Sequence, residues 1–200
     1  NHEALIVEQY YQQFALPVEP TLPPEKAEHA WSVDYGNTHF VGLNSISDAE
    51  VQALAPWLEA NLAAAAADPA IDWRIVMYHH PAYSACTNHG ANLRVQAYWA
   101  PLFEKYGVDV TFAGHDHNYE RTWPIRDGQV VEDGQGVVHV VAGAFFADPY
   151  TNGTDWWTAT SAPGDKANYA VIEADGKRLE VTAYSGDGTE VLDQFSLVKP

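Results

Sequence analysis

Two apolar runs restrict the fold most: "WRIVMYH" (73–79) and "VDVTFAG" (108–114), each of buried-strand length and each ending beside a histidine. Between them lies "RVQAYWAPLFEKYG" (94–107), a helical stretch interrupted by Pro101 and closed by Gly107. Upstream, "THFVGLN" (38–44) reads as another strand. It leads into the clearest helix, where Ser47 and Glu50 offer a capping box and Val51, Leu54, Leu58 and Leu62 recur on one face. Strands alternating with helices predict a layered α/β fold. A shorter helix is expected over residues 4–14, followed by a proline-rich loop over 17–24.

Beyond residue 135 the pattern changes. "GVVHVVAGA", "NYAVIEA", "RLEVTAY" and "EVLDQFSLV" read as strands separated by turn signals such as Asp175-Gly176 and Asp187-Gly188, which predicts antiparallel hairpins. No linker composition divides the two regions. Residues 1–200 are therefore read as one unit, with an α/β part over 1–135 and an antiparallel β part over 136–200.

Composition narrows the partners. The longest apolar stretch, 62–67, is alanine-rich and far shorter than a membrane span, so no membrane partner is expected. Acidic residues number 27 against 10 basic ones, a net charge of −17, which argues against nucleic-acid backbone as a ligand. An anionic substrate would be repelled at long range, so a phosphate site here needs local positive charge, and metal ions are its obvious source. Cys86 stands alone, so no disulfide closes within these residues. Asn152-Gly153-Thr154 is an acceptor sequon, relevant only in a eukaryotic secretory route. The acidic balance suits a secreted or salt-adapted protein, and a secreted or periplasmic setting is expected.

The candidate chemistry sits at the strand ends. In an extended segment, His115 and His117 of "GHDHNYER" would face one space with Asp116 turned away, and Gly114 permits the exit from the strand. Alone, the pair fits a ligand role or a packing role equally. His79 ends the preceding strand and Pro81 fixes the turn after it, with His80 read as an exposed neighbour. If the two strands adjoin, three imidazoles meet at one sheet edge, a donor set suited to zinc, iron or manganese. His89, in "TNHG", reads as a proton donor or as a solvated loop histidine.

"NHE" (1–3), "HHPAYS" (79–84), "NHG" (88–90) and "GHDHNYER" (114–121), in this order and at these intervals, resemble the calcineurin-like metallophosphatases. The tail Tyr119-Glu120-Arg121, with "DYGNTHFVGLNS" (34–45) and "DGTEVLDQFSLVK" (187–199), is most similar to the purple acid phosphatase branch. The resemblance implies a four-layer α/β/β/α sandwich, of which this chain is the C-terminal part. It implies a dinuclear metal centre of iron with zinc, manganese or a second iron. Asn1, His79 and His115 match ligands of one metal and His117 a ligand of the other, while His2 and His89 match histidines that contact phosphate and assist the leaving group. The implied reaction is hydrolysis of small-molecule phosphate esters by water activated between two cations.

Three departures from the family pattern stand out. Asp-x-Gly and Gly-Asp-x-x-Tyr are expected ahead of the Asn1 motif; Asp34-Tyr35-Gly36 comes later, beside a strand, and reads as part of the ordinary sheet region rather than as a substitute. An upstream segment or companion chain is therefore expected to complete the centre. Asn88 stands where plant members carry a second histidine, which leaves acid assistance to His89 and His2. "VVAGAFFADPY" (140–150) replaces a glycine-richer turn, so Phe145 and Phe146 either reshape the substrate groove or simply pack. Competing expectations are a phosphodiesterase or nucleotide pyrophosphatase of the same superfamily, and a non-catalytic fragment with an incomplete metal site. Intact-mass measurement and N-terminal sequencing check the upstream expectation: purified active material should carry both missing motifs, and a lone 22 kDa species would refute it.

Overall fold

The computed structural model describes residues 12–144, 148, 150–162 and 167–200. Asn1, His2, most of the helix expected over 4–14, and Phe145 and Phe146 lie outside the described residues.

Strand β1 (Ala30–Tyr35) turns at Gly36, where φ is +60°, and pairs antiparallel with β2 (Thr38–Leu43). Helix α1 (Asp48–Ala67) then crosses to β3 (Trp73–Tyr78), which lies parallel to β2. Two short helices, α2 (Leu93–Tyr98) and α3 (Ala100–Lys105), carry the chain to β4 (Val110–Ala113), parallel to β3. The expected helix over 94–107 is thus two helices that share Trp99 as a cap. Pro101 lacks the N–H that a continuous helix would need, so it takes a first-turn position in α3.

Strands β5 (Tyr119–Thr122), β8 (Val138–Ala142) and β9 (Thr158–Ala162) extend the same sheet, and β6 (Ile125–Arg126) with β7 (Gln129–Val130) forms a small ribbon beside it. Among the described residues the order is β1-β2-β3-β4-β8-β5-β9. The position of β8 differs from the expectation. It inserts between β4 and β5, parallel to β4 and antiparallel to β5. Its run of buried residues from Val138 to Val141 explains this: a strand covered on both faces belongs in a sheet centre. The second sheet, β10 (Asn168–Asp175), β11 (Arg178–Ser185) and β12 (Val191–Val198), is the expected antiparallel meander.

Alternation along the strands builds two cores. Val41, Leu43, Val76 and Tyr78 face the helices, where Val51, Leu54, Leu58, Leu62, Val95, Trp99 and Phe103 are buried. Phe40, Trp73, Ile75, Phe112, Val138 and Val140 face the second sheet and meet Leu179, Ala183, Phe195 and Leu197. Three layers, α/β/β, are therefore described. Ser47 caps α1 by accepting the Glu50 N–H at 3.2 Å. The reciprocal half of the capping box is not made, because the Glu50 carboxylate binds Lys26 and His29, each at 2.8 Å.

The Tyr119-Glu120-Arg121 run shows the strand period at work. Tyr119 and Arg121 reach toward the second sheet, where Asp193 of β12 accepts from the Tyr119 hydroxyl at 2.7 Å and from Arg121 Nε at 2.6 Å and Nη2 at 3.2 Å. Glu120 points the other way and accepts from the Ala85 N–H, Trp157 Nε1 and the Thr158 hydroxyl. Asp193→Ala should cost about 3–5 kcal/mol, because it strands a largely buried guanidinium. Urea denaturation would measure this, and adding Arg121→Met should recover most of the loss.

Candidate metal centre

Because β2, β3, β4 and β8 run parallel, their C-terminal ends share one edge, the place where layered α/β folds collect functional loops. The residues just past those ends are Ser45, His79 with His80, Gly114 with His115, and Gly143. Tyr78 and Ala113 are register partners, and the Gly114 N–H donates to the His79 carbonyl at 3.1 Å, which extends the ladder by one step. His79 Nε2 then lies 3.2 Å from His115 Nδ1.

The segment after β4 is bent rather than extended. His115 has φ +66°, a left-handed conformation uncommon outside glycine and enriched where a side chain is aimed for function. Asp116 turns fully inside, and its carboxylate accepts the Ser84 hydroxyl proton at 2.6 Å. The other Asp116 oxygen and both amide atoms of Asn118 are buried without partners, so this loop carries polar atoms under the rim. Gly143 makes the bend possible: a Cβ there would run into the Asp116 carbonyl oxygen.

His117 reaches the rim separately. Its Nδ1 donates to the Asp148 carbonyl at 2.6 Å, and its ring stacks on Tyr150 at 4.1 Å. A neutral imidazole whose Nδ1–H is engaged presents a lone pair at Nε2, the arrangement common in metal-binding histidines. His89 lies on an exposed loop with its ring 4.3 Å from that of His115 and 5.4 Å from that of Tyr150. Backbone bonds from Thr87 to Thr151 and from Gly153 to Ala85 tie this loop to the segment bearing Tyr150. The sequon asparagine sits in that segment with its side chain turned inward: Asn152 Nδ2 donates to the Ala162 carbonyl, and Oδ1 is buried.

The four described candidate residues, His79, His89, His115 and His117, are therefore linked along one rim through ring contacts that include Tyr150. His80, read from sequence as an exposed neighbour, is half-buried, with ring centroids 4.9 Å from His79 and 4.3 Å from His115. Among the described residues, His79, His80 and His115 bring possible donor atoms within 4.8 Å of one another. Burial, reinforced by His80 and His89, pushes the His115 imidazole down to about 4, so the ring is neutral at pH 7. Sequence reasoning passed over Ser45, His80 and Tyr150. The parallel order of β2, β3 and β4 is the signal that would have brought Ser45 to this edge.

The donor set fits a transition-metal cation. Two nitrogens on one cation, each about 2.0–2.1 Å away, lie about 2.9–3.4 Å apart for angles between octahedral and tetrahedral. The 3.2 Å between His79 Nε2 and His115 Nδ1 falls within that range.

Residues 1–119 match the calcineurin-like phosphoesterase family, and the chain belongs to it. It is 37% identical over 112 residues to an uncharacterized protein of Mycobacterium tuberculosis, covering 48% of this chain and 21% of that one. It is 35% identical over 108 residues to acid phosphatase type 7 of Mus musculus, covering 44% of this chain and 25% of that one. The fold matches that of purple acid phosphatase PPD1 from yellow lupin (Lupinus luteus) seeds with a TM-score of 0.72 at 22% identity, over 88% of this chain and 34% of that one. Within the family, these similarities fall in the purple acid phosphatase branch. The matched stretch spans only 21% and 25% of the two curated relatives.

Gly143→Ala tests the geometry. It should push the Asp116 carbonyl away, cost about 1–3 kcal/mol, and weaken zinc binding measured by calorimetry. Unchanged zinc affinity would show that the bend does not position the rim.

Proposed function

We propose that the protein hydrolyses phosphate esters as an acid-phosphatase-like phosphomonoesterase, at a dinuclear metal centre completed by residues outside those described. The observation that carries this reading is the meeting of His79 and His115 at adjacent parallel strand ends, with nitrogens 3.2 Å apart. The His117 tautomer, fixed by the Asp148 carbonyl, adds a third lone pair to the same rim.

In this reading His79 and His115, with Asn1, hold one cation, and His117 holds the other. The metals are iron with zinc, manganese or a second iron. Bound there, the pair would polarise the phosphoryl group and supply the positive charge that a chain of net charge −17 otherwise lacks. The asparagine carboxamide is a neutral donor, so it adds no negative charge beside an anionic substrate. His89, exposed and next to His115, is placed to hand a ring-nitrogen proton to the departing alkoxide, with His2 assisting. The missing acidic and tyrosine ligands come from an upstream segment or companion chain carrying Asp-x-Gly and Gly-Asp-x-x-Tyr. Among the described residues no helix is long and apolar enough to cross a membrane, and the proposed setting is secreted or periplasmic.

Metal analysis of the intact protein should find two equivalents, and p-nitrophenyl phosphate should be cleaved in preference to its bis ester. His115→Ala should lower kcat at least about 10³-fold together with metal content, since the ligand positions the reacting groups. Preference for the bis ester would favour a phosphodiesterase. One equivalent or none, with no turnover after adding iron, zinc or manganese, would point to a non-catalytic relic.

A further inference from the structure

Among the described lysines and arginines, Lys26, Arg94, Lys105, Arg121, Lys177, Arg178 and Lys199 each pair with a carboxylate. Arg74 and Arg126 are the two that do not, and both line one cavity of about 250 Å³. In a chain with 27 acidic and 10 basic residues, carboxylates are the plentiful partner, so two guanidiniums left without one at the same place need a reason. The cavity lies where β3 and β4 begin, at the sheet edge opposite the rim. Arg74 stands near one end of β3 and His79 just past the other, about 16 Å away at the rise of a strand.

Arg74 is anchored. Its Nε donates to the Gly107 carbonyl at 3.0 Å, and Gly107, at φ +64°, passes so close that a Cβ there would stand 3.3 Å from Arg74 Nη2. Only Nε is used in this way, so the Nη groups of Arg74 and the whole Arg126 guanidinium keep donors to spare. The acidic groups of the cavity are engaged elsewhere. Asp109 binds Lys199 at 2.8 Å and accepts the Arg74 backbone N–H at 2.9 Å, and Glu104 accepts the Asp127 N–H at 2.9 Å. Arg74, Arg126 and Lys199 against Glu104 and Asp109 leave the lining with net positive charge. A guanidinium plane matches the paired oxygens of a phosphate or a carboxylate, and two such planes on one cavity call for two negative charges. We propose that this cavity binds a small dianionic oxyanion, a phosphate or a dicarboxylate, held by Arg74 and Arg126. The site is separate from the rim and independent of the phosphoesterase reading.

The test is nitrogen-15 NMR of the arginine side chains in the intact protein, titrated separately with inorganic phosphate and with succinate. At least one anion should move the Nε signals of Arg74 and Arg126 together along one saturation curve, and the tighter of the two identifies the ligand chemistry. Because the readout sits on these two residues, phosphate bound at the rim does not interfere. Arg126 is exposed, so Arg126→Gln should keep the fold, the metal content and the turnover of p-nitrophenyl phosphate. In that variant the Arg74 signal should need about tenfold or more anion to move, as expected for the loss of charge-assisted hydrogen bonds. Arginine signals that stay fixed with both anions, or an Arg74 curve unchanged by Arg126→Gln, would overturn the site. So would movement that sodium chloride reproduces at equal ionic strength, since that is screening of surface charge. A parent protein without phosphatase activity would overturn the phosphoesterase reading and leave this one standing.

Discussion

The parallel pairing of β2, β3 and β4 is the constraint from which the rest follows. Three strands running one way bring Ser45, His79 and His115 to one edge, although the first and last are seventy positions apart. The bond between the Gly114 N–H and the His79 carbonyl sets how far the two imidazoles stand from each other. Helices on one face and a second sheet on the other hold that pairing in place through two separate apolar cores. The rim is therefore anchored at strand ends, while His89, His117 and Tyr150 reach it from loops.

Polar side chains beneath the rim convert this scaffold into chemistry by deciding where protons sit. The Asp148 carbonyl holds the His117 proton on Nδ1, while the Ser45 hydroxyl lies 3.1 Å from His80 Nδ1. His139, deeper in β8, is a third case: its Nδ1 is 2.9 Å from the Thr111 hydroxyl, and burial pushes its imidazole down to about 3. It is a neutral core residue under Tyr83, with no part in the rim. Histidines alike in sequence thus differ in role because their neighbours differ.

The elements were largely legible from the sequence, since periodicity reports burial directly. Val51, Leu54, Leu58 and Leu62 line α1 as expected, and the runs at 73–79 and 108–114 form β3 and β4. Long-range placement was less visible. The valine run of β8 looked like the start of a hairpin region, because nothing local records that the chain doubles back between β4 and β5. In the same way, the spacing of His115 and His117 suggested an extended segment. The left-handed turn at His115 depends on Gly143, twenty-eight positions further along the chain. His80 was set aside because its partner Ser45 lies beyond a twenty-residue helix.

Asn152 has a consequence for how the chain can be produced. With its amide nitrogen tied to the Ala162 carbonyl and its oxygen enclosed, a glycan could join only before that segment closes. An attached sugar would then prop the segment open and carry Tyr150 away from His117 and His89. In a glycosylating host, occupancy at this one asparagine, read by mass spectrometry, would report whether folding outran the transferase.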